Sequence, residues 1–272
     1  MLGERPLVMG ILNVTPDSFA DDARLLDPGR AAASALAMED EGADLIDVGG
    51  ESSRPNAQPV PVEEERRRVL PVIERLAGRL RIPLSIDTCK PPIAAEAVAA
   101  GAAIVNDVRG LRDDASLAHA IAPTGAALVL MHSRGTPATM ADHASYDDLV
   151  ADIAFELRAS MQRAAAAGVA FGRIILDPGI GFAKRAAHSY GVLARLADLA
   201  AALDRPLLIG PSRKSFMREA LGNLAAAERD WGTAAAVTAA VLGGAHIVRV
   251  HAVREMVQVV RVAEEIRKEQ RA

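Results

Sequence analysis

Asp87, Asn106, Asp177 and Lys214, and the pair Arg249 and His251, stand at or just beyond the ends of separate apolar runs in this chain. Carboxylates accept hydrogen bonds, an amide both donates and accepts, and an ammonium only donates. That set complements a planar heterocycle carrying amino, ring N–H and carbonyl groups along its edge. Buried without such partners, the same groups would destabilise a pocket by on the order of several kcal/mol. Met131 and Phe182 offer apolar surface for the faces of a flat ring. Arg249 can lay its guanidinium on that ring while its donors reach an anion.

A second group points to an anion. Ser212, Arg213, Lys214 and Ser215 follow Gly210 and Pro211 at the end of the seventh apolar run. Arg249 and His251 are two residues apart, so on a strand both side chains point the same way. Asn13 and His251 can hold phosphate oxygens or a Mg2+ that bridges them, because Mg2+ keeps several waters and uses few protein ligands beside phosphates. His132, His143, His188 and His251 have neither zinc-finger nor HExxH spacing, which argues against zinc. Gly179 to Lys184 is not a P-loop, no GxGxxG follows the first strand, and no GxSxG elbow is present.

Each of these residues also has an ordinary structural reading. A lone aspartate at a strand end is commonly a turn or cap residue, Asn106-Asp107 can cap the next helix, Met131 can be core, and His132 can be a satisfied strand-end histidine. Cys89, beside Asp87, reads as a small residue at a strand end. The ordinary readings weaken because so many polar residues fall at the same end of different runs.

Those runs are LVMGILN, LIDVGG, PLSID, AIVND, ALVLMH, RIILD, PLLIGPS and HIVRVH, eight in all. Continuous apolar runs read as strands buried on both faces. Helical patterns separate most of them, which implies βαβ units and a parallel sheet. Eight units in this length predict an α/β fold of the (β/α)8 TIM-barrel type, a single domain over residues 1–272, with its site at the C-terminal ends of the strands. Helices are expected at Pro28 to Glu41, Val62 to Leu80 with a kink or split at Pro71, Pro91 to Ala100, Asp147 to Ala167, near Trp231 to Leu242, and from His251 to the end. Gly42, Gly101 and Gly168 are the expected stops. Long loops at Thr15 to Phe19, Glu51 to Pro61, Ser133 to His143 and Pro178 to His188 all lie on the site side.

The net charge of −4 and the absence of a long basic block argue against nucleic acid. One cysteine excludes a disulfide within the chain. No uninterrupted apolar run of membrane-spanning length and no signal-peptide layout occur, so a cytoplasmic protein with no membrane partner is expected.

The chain resembles the dihydropteroate synthase family over nearly its whole length. The matching segments are MGILNVTPDSF (Met9 to Phe19), DVGGESSRP (Asp47 to Pro55), SIDT (Ser85 to Thr88), VNDVRG (Val105 to Gly110), LMH (Leu130 to His132), RGTPATM (Arg134 to Met140), DPGIGFAK (Asp177 to Lys184), SRKSF (Ser212 to Phe216) and RVH (Arg249 to His251). The resemblance implies that 4-aminobenzoate is joined to (7,8-dihydropterin-6-yl)methyl diphosphate, giving 7,8-dihydropteroate and diphosphate. It implies that Asp87, Asn106, Asp177 and Lys214 hold the pterin edge and that Met131 and Phe182 meet its face, with Gly210 in the same binding set. Asn13, Arg249 and His251 would take the diphosphate, with Mg2+ at Asn13. Phe19, Ser53, Arg54, Pro55, Lys214 and Ser215 would frame the aminobenzoate. Asp87, Lys214, Arg249 and His251 would carry the catalysis. A homodimer through the seventh and eighth helices is expected on the same ground.

The chain departs from the family pattern in places. Ala20-Asp21-Asp22-Ala23 stands where Ser-Asp-Gly-Gly is common, which predicts a stiffer first loop. Ala183 stands where glycine is common, and Ser53 where threonine is. Ala252 replaces the aspartate of RVHDV, and its loss is expected to alter the orientation or basicity of His251. Two other readings compete. One is a methyltransferase using methyltetrahydrofolate and a corrinoid, which has no use for Asn13 or Ser212 to Ser215 as an anion site. The other is a catalytically silent pterin-binding paralogue.

Overall fold

The computed structural model describes residues 3–15, 27–54 and 57–270. Among them the strands are β1 (Leu7–Asn13), β2 (Leu45–Gly49), β3 (Leu84–Asp87), β4 (Ile104–Asp107), β5 (Ala127–Met131), β6 (Ile174–Asp177), β7 (Leu208–Ile209) and β8 (Ile247–Val250). All pair in parallel, in the order β6-β5-β4-β3-β2-β1-β8-β7. A bridge between Leu176 and Leu207 joins the two ends and closes the barrel. There Leu176 N–H donates to the carbonyl of Pro206 at 2.9 Å. The seventh strand is shorter than its apolar run because Pro206 and Pro211 flank it and lack the N–H a ladder needs.

The helices are α1 (Pro28–Asp40), α2 (Val62–Leu76), α3 (Pro91–Ala99), α4 (Ser116–Ile121), α5 (Leu149–Ala166), α6 (Ala186–Ala194), α7 (Leu196–Leu203), α8 (Arg218–Leu221), α9 (Asp230–Leu242) and α10 (Val253–Glu269). Asp27 caps α1 by accepting from the N–H groups of Gly29 and Arg30, and Asp148 caps α5 in the same way. Gly42, Gly101 and Gly168 follow their helices at φ +101°, +121° and +100°, as expected of stops. Two expectations need correction. The second helix ends at Leu76 rather than Leu80, and it runs through Pro71 without splitting. Val69, Val72, Ile73 and Leu76 are buried on both sides of the proline, so packing holds the helix across the missing hydrogen bond.

Two apolar layers result. One lies between strands and helices. The other fills the barrel with Leu7, Met9, Leu45, Ile104, Val129, Ile175, Leu208 and Ile247. Side chains alternate along a strand, so the residues two or four positions further on also point inward at the C-terminal rim. Those residues are Asn13, Asp47, Asn106, Met131, Asp177, Gly210, Arg249 and His251. None of the described helices is long and apolar enough to cross a membrane.

Candidate active site

The inward rows converge on Arg249. Its Nε donates to Asp47 Oδ2 at 2.6 Å and its Nη2 to Asp87 Oδ2 at 2.9 Å. Asn106 Nδ2 donates to the same Asp47 oxygen at 3.0 Å. Strands β2, β3, β4 and β8 are thus tied together by side chains just below the rim. Asp47 is fully buried and its Oδ1 has no hydrogen-bond partner. Asp47 was not among the residues expected to bind, although it lies in a quoted segment. Its role depends on an arginine 202 residues away, across the barrel.

Asp177 and Lys214 form the opposite wall. Asp177 Oδ1 accepts from Gly179 N–H at 2.7 Å. Burial raises the Asp177 pKa, while the charge of Lys214 opposes the rise. Lys214 bonds the carbonyl of Ile180, and its ammonium lies 4.5 Å from the centre of the Phe182 ring. Burial pushes Lys214 down to about 8 against the pull of Asp177. Burial likewise pushes Asp87 up to about 7; Arg249 opposes this and Asp47 adds to it. Desolvation outweighs the ion pair because two acids share one guanidinium.

Asp87, Ser53 and Phe182 line one cavity of about 220 Å3, together with Thr88, Lys90 and Arg134. Met131 is buried in register with Asp177. Arg54 is exposed on the loop after β2, and its charge reaches His251. Ser215 is exposed and opens the short turn after Lys214. Gly210 faces Arg249, where an added Cβ would lie 3.8 Å from that of the arginine. Phe19, Pro55 and the Ala20 to Ala23 segment lie outside the described residues.

His251 is held by Ser212, whose Oγ lies 2.9 Å from the ring Nδ1 and accepts the His251 backbone N–H at 3.2 Å. The replacement of aspartate by alanine at 252 therefore does not leave the imidazole without a partner. Ala252 is the N-cap of α10 and makes no side-chain cap bond.

Sequence reading also missed two polar clusters. Lys90 bridges Glu51 and the buried Glu65 at the cavity wall. Behind Phe182, Lys184 donates to His132 Nδ1 at 2.8 Å and to the Phe182 carbonyl at 3.2 Å. Burial pushes His132 down to about 4 and Lys184 down to about 7. His132 Nε2 lies 3.2 Å from Glu156 Oε2 but off the hydrogen-bond direction. The only sequence signal for either cluster was charged residues inside the quoted segments and helix faces.

Among the described residues no three His, Cys, Asp or Glu side chains gather as a metal cage. Asn13 nonetheless offers one amide oxygen at the rim. The space above Gly49, where a Cβ would sit, lies 3.7 Å from Asn13 Oδ1. An amide oxygen is a hard ligand of the kind Mg2+ accepts, with phosphates and water completing its shell.

A family model described as pterin binding enzyme matches residues 9–251. The dihydropteroate synthase of Escherichia coli (strain K12) is 45% identical over 259 residues, covering 95% of this chain and 91% of that protein. The structure of Xanthomonas albilineans dihydropteroate synthase with 4-aminobenzoic acid superposes with a TM-score of 0.89 at 43% identity, covering 97% and 93% of the two chains. The same enzyme in complex with 7,8-dihydropteroate gives a TM-score of 0.86 at 42% identity, covering 97% and 94%.

Proposed function

The chain belongs to the pterin-binding enzyme family, and from that premise we propose that it condenses (7,8-dihydropterin-6-yl)methyl diphosphate with 4-aminobenzoate. The products are 7,8-dihydropteroate and diphosphate. The observation that carries this reading is the single rim at which Arg249 bonds Asp87 and shares Asp47 with Asn106, with the Asp177–Lys214 pair in the same field.

In this reading Asp87, Asn106, Asp177 and Lys214 bind the donors and acceptors of the pterin edge, with Phe182 and Met131 against its faces. The bond between the methylene carbon and the diphosphate oxygen breaks, and its electron pair leaves with the diphosphate. Positive charge on the carbon spreads into the electron-rich ring, where Asp87 and Asp177 stabilise it. Arg249 and His251 stabilise the departing anion. The aminobenzoate nitrogen supplies its lone pair to the carbon and then loses one proton. That amine is neutral at pH 7, so it needs positioning more than a strong base. Ser53, Arg54, Ser215 and the Lys214 stem frame it. Asn13 would hold the Mg2+, whose contribution is to neutralise diphosphate charge.

The methyltransferase reading loses support because the curated and structural relatives described above are synthases. We also propose a cytoplasmic homodimer; one cysteine and the exposed apolar residues of α9 and α10 support it.

Asp177→Asn tests the pocket. Removing a charged hydrogen-bond acceptor should weaken dihydropterin binding about 10- to 100-fold. Calorimetric titration with a pterin ligand checks this, and wild-type affinity together with wild-type turnover would overturn the assignment.

A further inference from the structure

We infer that Ser212 is a positioning residue that fixes His251 as the tautomer carrying its proton on Nε2, so that the neutral ring presents an N–H donor to the diphosphate. This rests on the pterinyl-transfer reading for its ligand, but the tautomer claim rests on the geometry. Ser212 is 5% exposed and its Oγ makes two contacts with the same residue. It accepts the His251 backbone N–H at 3.2 Å, which fixes the oxygen and occupies a lone pair. Were its second lone pair to accept an Nδ1–H, the hydroxyl proton would be left without an acceptor, because among the described residues Ser212 Oγ bonds only His251; the proton therefore points to Nδ1, 2.9 Å away. A ring nitrogen that accepts a hydrogen bond carries no proton in the neutral form, so the proton resides on Nε2.

The surroundings keep the ring neutral. Burial, Arg213, Arg249 and Arg54 all disfavour an imidazolium here, and only Asp230 favours it. Asp230 is itself engaged by Arg213 through bonds of 2.7 and 2.8 Å. Among the described residues no carboxylate hydrogen-bonds the ring, and the following residue, Ala252, has no acceptor in its side chain. The serine hydroxyl thus does the orienting that a carboxylate does for many functional histidines.

Nitrogen-15 spectra of histidine-labelled protein test the claim, with the His251 signals assigned by their loss in His251→Ala. The wild-type ring should show an N–H-type Nε2 and a lone-pair-type Nδ1. Ser212→Ala should mix the tautomers and weaken binding of Mg2+-diphosphate about 3- to 10-fold, the loss of one hydrogen bond. Ser212→Thr, which keeps the hydroxyl, should restore both. If the alanine variant packs poorly by thermal unfolding, Ser212→Cys, which keeps nearly the same volume but only a weak donor and acceptor, should shift the tautomer and the affinity in the same direction by a smaller amount. An unchanged tautomer together with diphosphate affinity within about twofold of wild type in Ser212→Ala would overturn the inference. Wild-type protein that shows the expected tautomer yet fails to bind diphosphate would overturn the functional reading instead.

Discussion

At the scale of residues, the site is a buried contest between acids and bases. Asp87 is pushed up to about 7 and Lys214 down to about 8, in each case first by burial. The fraction of protein with both groups charged is greatest between those values. The kcat/KM for the pterin substrate should therefore rise through pH about 7 as Asp87 ionises and fall through about 8 as Lys214 loses its proton. Asp87→Asn should remove the acidic limb. A flat profile from about pH 6 to 9 would contradict this account. The same shift bears on stability. The folded state binds the Asp87 proton more tightly than the unfolded chain, whose carboxyl titrates near 4. The contribution of Asp87 is therefore present at low pH and is lost as pH rises from about 4 through about 7. Much of this scale was legible in advance: Asp87, Asn106, Asp177 and Arg249 were identified by type and by their place at strand ends. Asp47 was given no specific role, and Ser212 was read only as part of an anion-binding group, not as the partner of His251. Each acts on a partner far along the chain, 202 residues for Asp47 and Arg249 and 39 for Ser212 and His251, and no local pattern encodes such a pairing.

At the scale of elements, two departures from the family pattern have structural meanings that spacing did not reveal. Ala183 lies at φ +47°, in the left-handed region that favours glycine. Its carbonyl accepts the Tyr146 hydroxyl at 2.9 Å, so the strained turn is anchored between Phe182 and Lys184. Ala183→Gly should stabilise the fold by about 0.5–1 kcal/mol, less than the full left-handed penalty because glycine also loses more entropy on folding. Denaturant unfolding checks the sign, and a destabilised variant would mean that the methyl group packs favourably enough to offset the strain. Ala252 occupies the N-cap of α10 without a capping bond. An aspartate there would serve the helix rather than the imidazole, so Ala252→Asp should add about 1 kcal/mol of stability. His251 should keep its Ser212 contact, and turnover should stay within about twofold; a large change in turnover would show that residue 252 acts on the ring. The strands and most helices were legible from apolar runs and glycine stops. The continuity of α2 through Pro71 was not, because tertiary burial decided it.

At the scale of the whole molecule, the barrel explains why residues from distant segments meet. Parallel strands with helices outside leave one rim where all the strands end, and alternation sends the rim residues inward. That architecture was readable because eight apolar runs alternate with helical stretches. The surface was less readable. Trp231 on α9 is 88% exposed, and Val262 and Ile266 on the neighbouring α10 are 63% and 45% exposed. Exposed apolar residues on two packed helices fit the proposed dimer interface. Sedimentation should report a dimer at micromolar concentration, and Trp231→Asp should shift it toward monomer. A wild-type monomer under those conditions would remove the proposal.

The most direct test of pterinyl transfer is a single reaction: purified protein, Mg2+, (7,8-dihydropterin-6-yl)methyl diphosphate and 4-aminobenzoate, with 7,8-dihydropteroate and diphosphate both quantified. The expected result is equimolar formation of the two products, abolished when either substrate is omitted and reduced by Asp177→Asn. Tight pterin binding with no dihydropteroate formed would contradict it and leave a binding protein in place of an enzyme.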